Sequence, residues 1–293
     1  MKKILFKLLR YSGLPFIFRE FIQKNKVTII LFHDIDKSTT EKTFSYLEKK
    51  YNIISLDKYL KAINDNSITL PNKSLIITFD DGHIRNYEML DVIKNKKIPI
   101  TIFLCSSIIN TNRHFWFKYK HSNIITSKLK RISNKDRLLK LKQADFEQTK
   151  EFSSPQALSK EQILEMSKWI NFQSHTSFHP CLPTCNDNEA LSELGDSKRF
   201  LEEEYNFNIN TISYPNGDYS ERDIKISKKI GYKCGITVDY GFNTLKTDIF
   251  RLKRLSVNDT NNIDELSVKA SGVWAFLKTR NGKKQTFGLN ENI

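Results

Sequence analysis

No stretch of this 293-residue sequence approaches the roughly 20 consecutive apolar residues of a membrane span. It contains no low-complexity tract and no repeat at the roughly 20–50-residue periods of solenoids and propellers, which excludes those architectures. Its four cysteines, Cys105, Cys181, Cys185 and Cys234, make no disulfide framework at this length. Lys2 and Lys3 imitate the start of a signal peptide. Lys7 and Arg10, however, break the apolar stretch before it reaches the roughly 7–15 residues of an h-region, and no small-residue cleavage site follows. The expectation is reduced thiols and a cytoplasmic location, peripheral on the inner membrane if the basic segments touch lipid.

What is present is an ordinary globular balance, 39% hydrophobic and 27% charged, on a chain long enough for one α/β barrel. The net charge of +14 is uneven. Residues 1–26 hold seven Lys/Arg against one Glu, and residues 113–142 hold ten against one Asp, so the remainder is close to neutral. Two basic segments suit an anionic surface such as acidic lipid headgroups or lipid-linked phosphate, although solvated helix faces give the same counts. The first segment is also amphipathic, with Ile4, Leu5, Phe6, Leu8, Leu9, Phe16, Ile17, Phe18, Phe21 and Ile22. It fits either a membrane interface or an outer helix packed on the barrel. Net charge alone, with no recognition motif, gives no reason to expect nucleic acid.

Short β-branched runs alternate with helical patterns. VTIILFH (27–33), NIIS (52–55), LIITF (75–79), IPITIFL (98–104), INFQS (170–174), TISYP (211–215), YKCGIT (232–237) and FRLKRLSV (250–257) read as strands. Helices are expected at 41–50, 87–95, from Ser159, at 188–205 and at 220–229; Ser159 with Gln162 forms a capping-box pattern. This alternation predicts an α/β fold, a distorted (β/α) barrel of about seven strands. The expected division is a basic amphipathic segment 1–26, a barrel 27–258 with an insertion at 111–160, and a C-terminal extension 259–293.

Three polar clusters follow strands, where barrels of this kind place functional groups. They are His33-Asp34, Asp80-Asp81-Gly82, and Ser174-His175-Thr176-Ser177-Phe178-His179. Adjacent carboxylates favour a nearby cation, although Asp-Asp-Gly also reads as a simple turn. His175 and His179 are spaced to share one face of a helical turn, within reach of one ion. Thr176 stands where a zincin would have its glutamate, so a base must come from the aspartate pair. Two imidazoles and one carboxylate leave a coordination position open, as catalytic sites do. A closed His175–His179–Cys181–Cys185 site is the competing ligand set. His83, His114 and His121 read as surface or structural residues. Trp116 and Tyr119 read either as sugar-stacking rings or as packing.

Thr78-Phe79-Asp80-Asp81-Gly82, followed by Ser174-His175-Thr176-Ser177-Phe178-His179-Pro180, resembles the first two motifs of the NodB-homology polysaccharide deacetylases, carbohydrate esterase family four. SYPNG (213–217) and LKRLSV (252–257) resemble later motifs of that family, so the likeness covers roughly 27–258. It implies a metal-dependent hydrolase of linear amide bonds that removes N-acetyl groups from N-acetylhexosamines, in cell-surface polysaccharide biosynthesis. Asp81, His175 and His179 would hold a divalent metal, usually zinc. Asp80 would be the base, Arg254 would neutralise and orient it, and the backbone N–H of Asn216 would stabilise the oxyanion. Two positions depart from the pattern. Ser213 replaces the arginine that often opens the third motif, and no histidine follows His179 to serve as the late general acid. The proton donor is therefore expected to be His33, as in permuted members of the family, oriented by Asp34 or Asp36, or less favourably Asp239. The implied partner is an N-acetylated glycan, either a polysaccharide or a lipid-linked precursor at an anionic membrane surface. A deformylase or other amide hydrolase acting on a sugar, and a non-catalytic glycan-binding barrel, are the alternatives.

Overall fold

The apolar runs at Val27–Phe32 (β1) and Ser74–Phe79 (β3) bury all six of their residues, because a parallel sheet is covered on both faces. In the computed structural model, which describes residues 2–65 and 67–280, six further strands join them. These are β2 (Asn52–Ile53), β4 (Ile100–Leu104), β5 (Ile170–Ser174), β6 (Thr211–Ser213), β7 (Cys234–Ile236) and β8 (Leu255–Ser256). The order is β7-β6-β5-β4-β3-β1-β8, with β2 beside β3, and every ladder is parallel.

Alternation along the strands divides the core in two. Ile30, Phe32, Leu75, Ile77, Phe79, Ile100 and Ile102 face the outer helices. Val27, Ile29, Ile76, Phe103, Ile236 and Leu252 converge on the interior, where Tyr59 and Leu56 of the helix Leu56–Asn64 join them. The sheet curls far enough for one segment to touch both edges: Leu252 bridges Ile236 of β7, and Leu255 pairs with Ile30 of β1. This seam makes the fold a distorted barrel, as expected. It also explains why FRLKRLSV yields only a two-residue strand, since the segment changes partner midway.

The capping box of Ser159 and Gln162 is present, and similar boxes open the helices Asp187–Tyr205 and Glu221–Ile230. The helix expected at 41–50 begins at Lys37, because the Asp36 side chain accepts from Thr39 N–H and caps it earlier. The helix Leu56–Asn64, capped by Ser55, was not expected. The helix Lys2–Tyr11 packs through Phe6 against Val268, Val273 and Trp274, so the two ends of the chain share one small cluster. Residues 281–293 of the expected C-terminal extension lie outside the described residues. Among the described residues, no helix is long and apolar enough to cross a membrane.

Candidate active site

Asp80 continues the inward alternation of Ile76 and Thr78, and its N–H donates to the Phe32 carbonyl (3.1 Å). The chain then turns sharply through Asp81 (φ 75°) and Gly82 (φ 76°). A Cβ at Gly82 would lie 2.5 Å from Leu104 Cδ2, so together with the positive φ this position strongly favours glycine. The turn directs the two neighbouring carboxylates to different partners.

His175 and His179 meet without a helix. Residues 175–180 form a loop in which Thr176 (φ 66°) and His179 (φ 58°) are left-handed. The two rings come together as expected from their spacing, but through a loop and not through the helical turn that the spacing suggested. The loop is fixed by side chains: Glu193 Oε2 accepts from Ser177 N–H (2.9 Å) and Phe178 N–H (2.8 Å), and Thr176 Oγ1 accepts from His179 N–H (3.1 Å). Burial pushes the Glu193 carboxyl up to about 7.

Asp81 Oδ1 lies 3.4 Å from His175 Nε2 and 3.5 Å from His179 Nε2. These distances match the edge, about 3.4 Å, of a tetrahedron built on ligand bonds of about 2.1 Å. Asp81 Oδ1 is buried without a hydrogen-bond partner. His175 Nδ1 donates to the Ser213 carbonyl (2.8 Å), which leaves its Nε2 lone pair free for a ligand. Burial lowers His179 to about 3, so it stays neutral, as a ligand must. Burial alone would raise Asp81, but the His83 hydrogen bond and the three imidazoles around it hold it well below the usual carboxylate range. This donor set fits a divalent cation. The alternative set does not form: Cys181 accepts from Asn216 Nδ2, Cys185 donates to the Cys181 carbonyl, and burial raises both thiols, to about 11 and about 12. Among the described residues, Asp81, His175 and His179 are the cluster able to hold a metal.

His83 is buried, not a surface residue, and lies 3.1 Å from the second oxygen of Asp81. Lys118 Nζ approaches His83 Nδ1 at 3.1 Å; an ammonium only donates, so Nε2–H of His83 points at Asp81. Trp116 is buried and donates to the His179 carbonyl (2.8 Å), while Phe117 packs on the His179 ring at 4.5 Å. Tyr119 donates to the Ala144 carbonyl. Trp116 and Tyr119 are therefore packing residues, and the basic insertion buttresses the histidine loop. Sequence reasoning missed the roles of His83, Lys118, Glu193 and Trp116. Only the nearness of His83 to Asp81 in the chain hinted at one of them.

Asp80 receives a two-pronged ion pair from Arg254, with Nη1 to Oδ1 and Nη2 to Oδ2 both 2.8 Å. Ser213 Oγ donates to Asp80 Oδ2 (3.1 Å) and accepts from Arg254 Nη2 (2.8 Å). Arg254 also donates to the Thr237 carbonyl and is fully buried. The small Ser213 thus shares Asp80 with an arginine arriving from the barrel seam. Burial would raise Asp80, but Arg254, together with the neighbouring His175 and His33, holds it below the usual carboxylate range.

His33 follows β1, whose last residue Phe32 pairs with Phe79 of β3 just ahead of Asp80. Its partner is Asp259, which accepts from the His33 backbone N–H (2.9 Å) and lies 3.8 Å from Nδ1. The expected orienting residues are engaged elsewhere. Asp34 faces Arg85 and Lys118, Asp36 caps a helix, and Asp239 accepts from Tyr219. Asn216 (φ 57°) lies in the tight turn Pro215–Gly217 after β6, beside Cys181.

The fold and these motifs define a class. Residues 67–235 match the family model described as polysaccharide deacetylase, more than half of the chain, and the chain belongs to that family. YxkH of Bacillus subtilis (strain 168), itself named only provisionally as a polysaccharide deacetylase, is 26% identical over 188 residues. That match covers 64% of this chain and 52% of YxkH, so the chain spans about half the length of this curated relative. Among solved structures, the Streptococcus pyogenes deacetylase PplD in complex with acetate aligns with a TM-score of 0.61 at 18% identity, over 86% of this chain and 98% of that one. IcaB from Ammonifex degensii gives 0.61 at 16%, over 85% and 98%. At these identities the structural likeness is one of fold.

Proposed function

We propose that the protein removes the N-acetyl group from an N-acetylhexosamine of a polysaccharide or lipid-linked glycan precursor, using a divalent cation held by Asp81, His175 and His179. The observation that carries this reading is the pairing of two adjacent carboxylates with opposite partners: Asp81 with imidazoles, Asp80 with Arg254. Two imidazoles and a carboxylate suit zinc. When bound, such an ion polarises an amide carbonyl and makes water more acidic.

The chain's own groups divide the remaining work. Asp80 takes a proton from the water that attacks the acetyl carbon; Arg254 and Ser213 fix its orientation and leave carboxylate lone pairs for that proton. The backbone N–H of Asn216 donates to the developing oxyanion. His33, steadied by Asp259, gives a proton to the departing nitrogen as the C–N bond breaks. The products are acetate and a free amine. A lipid-linked substrate would place the protein at an anionic membrane surface, peripheral on the cytoplasmic side.

The test is metal content alongside acetate release from N-acetylglucosamine oligomers, with N-formyl analogues assayed in parallel. Wild type should hold about one ion per chain. Asp81→Ala and His179→Ala should lose metal and turnover together, and Asp80→Ala should keep metal and lose turnover. Failure of wild type to load zinc, or faster release of formate than acetate, would overturn the reading.

A further inference from the structure

The helix Lys2–Tyr11 is apolar on two faces. One face is anchored: Phe6 is 4% exposed, its ring is 5.0 Å from that of Trp274, and Arg10 pairs with Asp264 at 2.6 Å. The other face is Ile4, Leu8 and Tyr11, one stripe at i, i+4 and i+7, exposed by 66%, 66% and 71%. After the turn at Gly13, Phe16, Ile17, Phe21 and Ile22 are also exposed. Phe276, from the helix Val273–Arg280, reaches this region through an edge-on contact with Phe18 at 5.4 Å. Of the seventeen large apolar residues exposed among the described residues, nine fall here, far more than scattered surface residues would give.

The exposed charges of residues 2–26 are mostly of one sign. Lys2, Lys3, Lys7 and Lys24 are exposed. The only acid in residues 1–26, Glu20, is held by Arg19 and Lys73, each at 2.8 Å. Exposed aliphatic and aromatic side chains flanked by lysines match the acyl boundary and the headgroups of an anionic bilayer. A symmetric contact with a second copy of the chain would set the same lysines against each other. A ten-residue helix is about 15 Å long, half of a bilayer's hydrocarbon thickness of about 30 Å, so it lies in the interface and does not span it.

We propose that residues 2–26, with Phe276, form a docking surface for an anionic lipid bilayer. The surface supplies the membrane contact that the lipid-linked form of the proposed substrate needs. None of its residues belongs to the catalytic cluster, so it stands or falls separately from the catalytic reading. Co-sedimentation of the full chain with phosphatidylcholine vesicles, with and without phosphatidylglycerol, tests it at low and high salt. Wild type should bind the phosphatidylglycerol vesicles and release in salt. Replacing Lys2, Lys3 and Lys7 by Gln should weaken that binding about 100-fold, about five-fold per lysine. Ile4→Ser combined with Leu8→Ser and Phe21→Ser should abolish it, with acetate release from soluble oligomers unchanged. Absence of wild-type binding, equal binding to both vesicles, or light scattering that shows a dimer which the apolar variant dissolves would each overturn the proposal. Loss of acetate release with vesicle binding intact would instead count against the deacetylase reading alone.

Discussion

Arg254 and Asp80 form a fully buried ion pair, and such a pair responds asymmetrically to mutation. Arg254→Met would leave the Asp80 carboxylate in the barrel interior with only Ser213 as donor. Breaking one side of a buried pair costs about 3–5 kcal/mol. At about 2–4 °C per kcal/mol for a chain of this size class, the midpoint of thermal unfolding should fall by about 10 °C. Asp80→Asn should cost a similar amount by stranding the guanidinium. The double variant strands neither charge, so it should be no less stable than either single variant, although simple addition would predict a loss of about 6–10 kcal/mol. Urea unfolding of all four proteins in chelator, which keeps metal binding out of the balance, measures this cycle. Additive losses would refute the idea that the pair acts as one unit. A loss below about 1 kcal/mol in Arg254→Met would show that Asp80 is not held by it.

Three further outcomes follow from the site. The Glu193 carboxyl is raised to about 7 by burial, so its contribution to stability is full below the ordinary glutamate range and is lost as pH rises through 7; Glu193→Gln should flatten the stability profile between about pH 4.5 and 7, read by urea midpoints. Gly82→Ala meets both a positive φ and Leu104, and should lower stability by about 1–3 kcal/mol and metal occupancy with it, as seen by melting and metal analysis. His33→Ala should reduce turnover by about 10²–10⁴-fold with metal retained, and Asp259→Asn should reproduce part of that loss; an unchanged rate in His33→Ala would remove it as proton donor.

The fold was legible where burial dictates composition. The apolar runs of β1, β3, β4 and β5 and the capping signal at Ser159 correspond to observed elements. Conversely, the helix Leu56–Asn64 escaped notice because its pattern is short, and the strand read at 250–257 shortens to β8 because one segment serves two edges. The candidate site residues that the structure brings together, Asp80, Asp81, His175 and His179, were legible as polar clusters following strands. Their supports were not. Glu193 lies on a helix fourteen residues beyond His179, Asp259 lies far along the chain from His33, and Trp116, read either as a sugar-stacking ring or as packing, gave no sign that it packs on the histidine loop. Such contacts are tertiary, with no periodicity to announce them.

The barrel seam gives the chain a temporal order. Asp81, His175 and His179 are synthesised well before Arg254, which sits where the last strand joins β7 to β1. On the proposed reading, a nascent or truncated chain ending before Lys253 would carry the three proposed metal ligands and an Asp80 with no guanidinium to hold it. On that reading, the groups that would hold an ion and the pair that would use it are completed at different points of synthesis, and only the closing of the ring joins them.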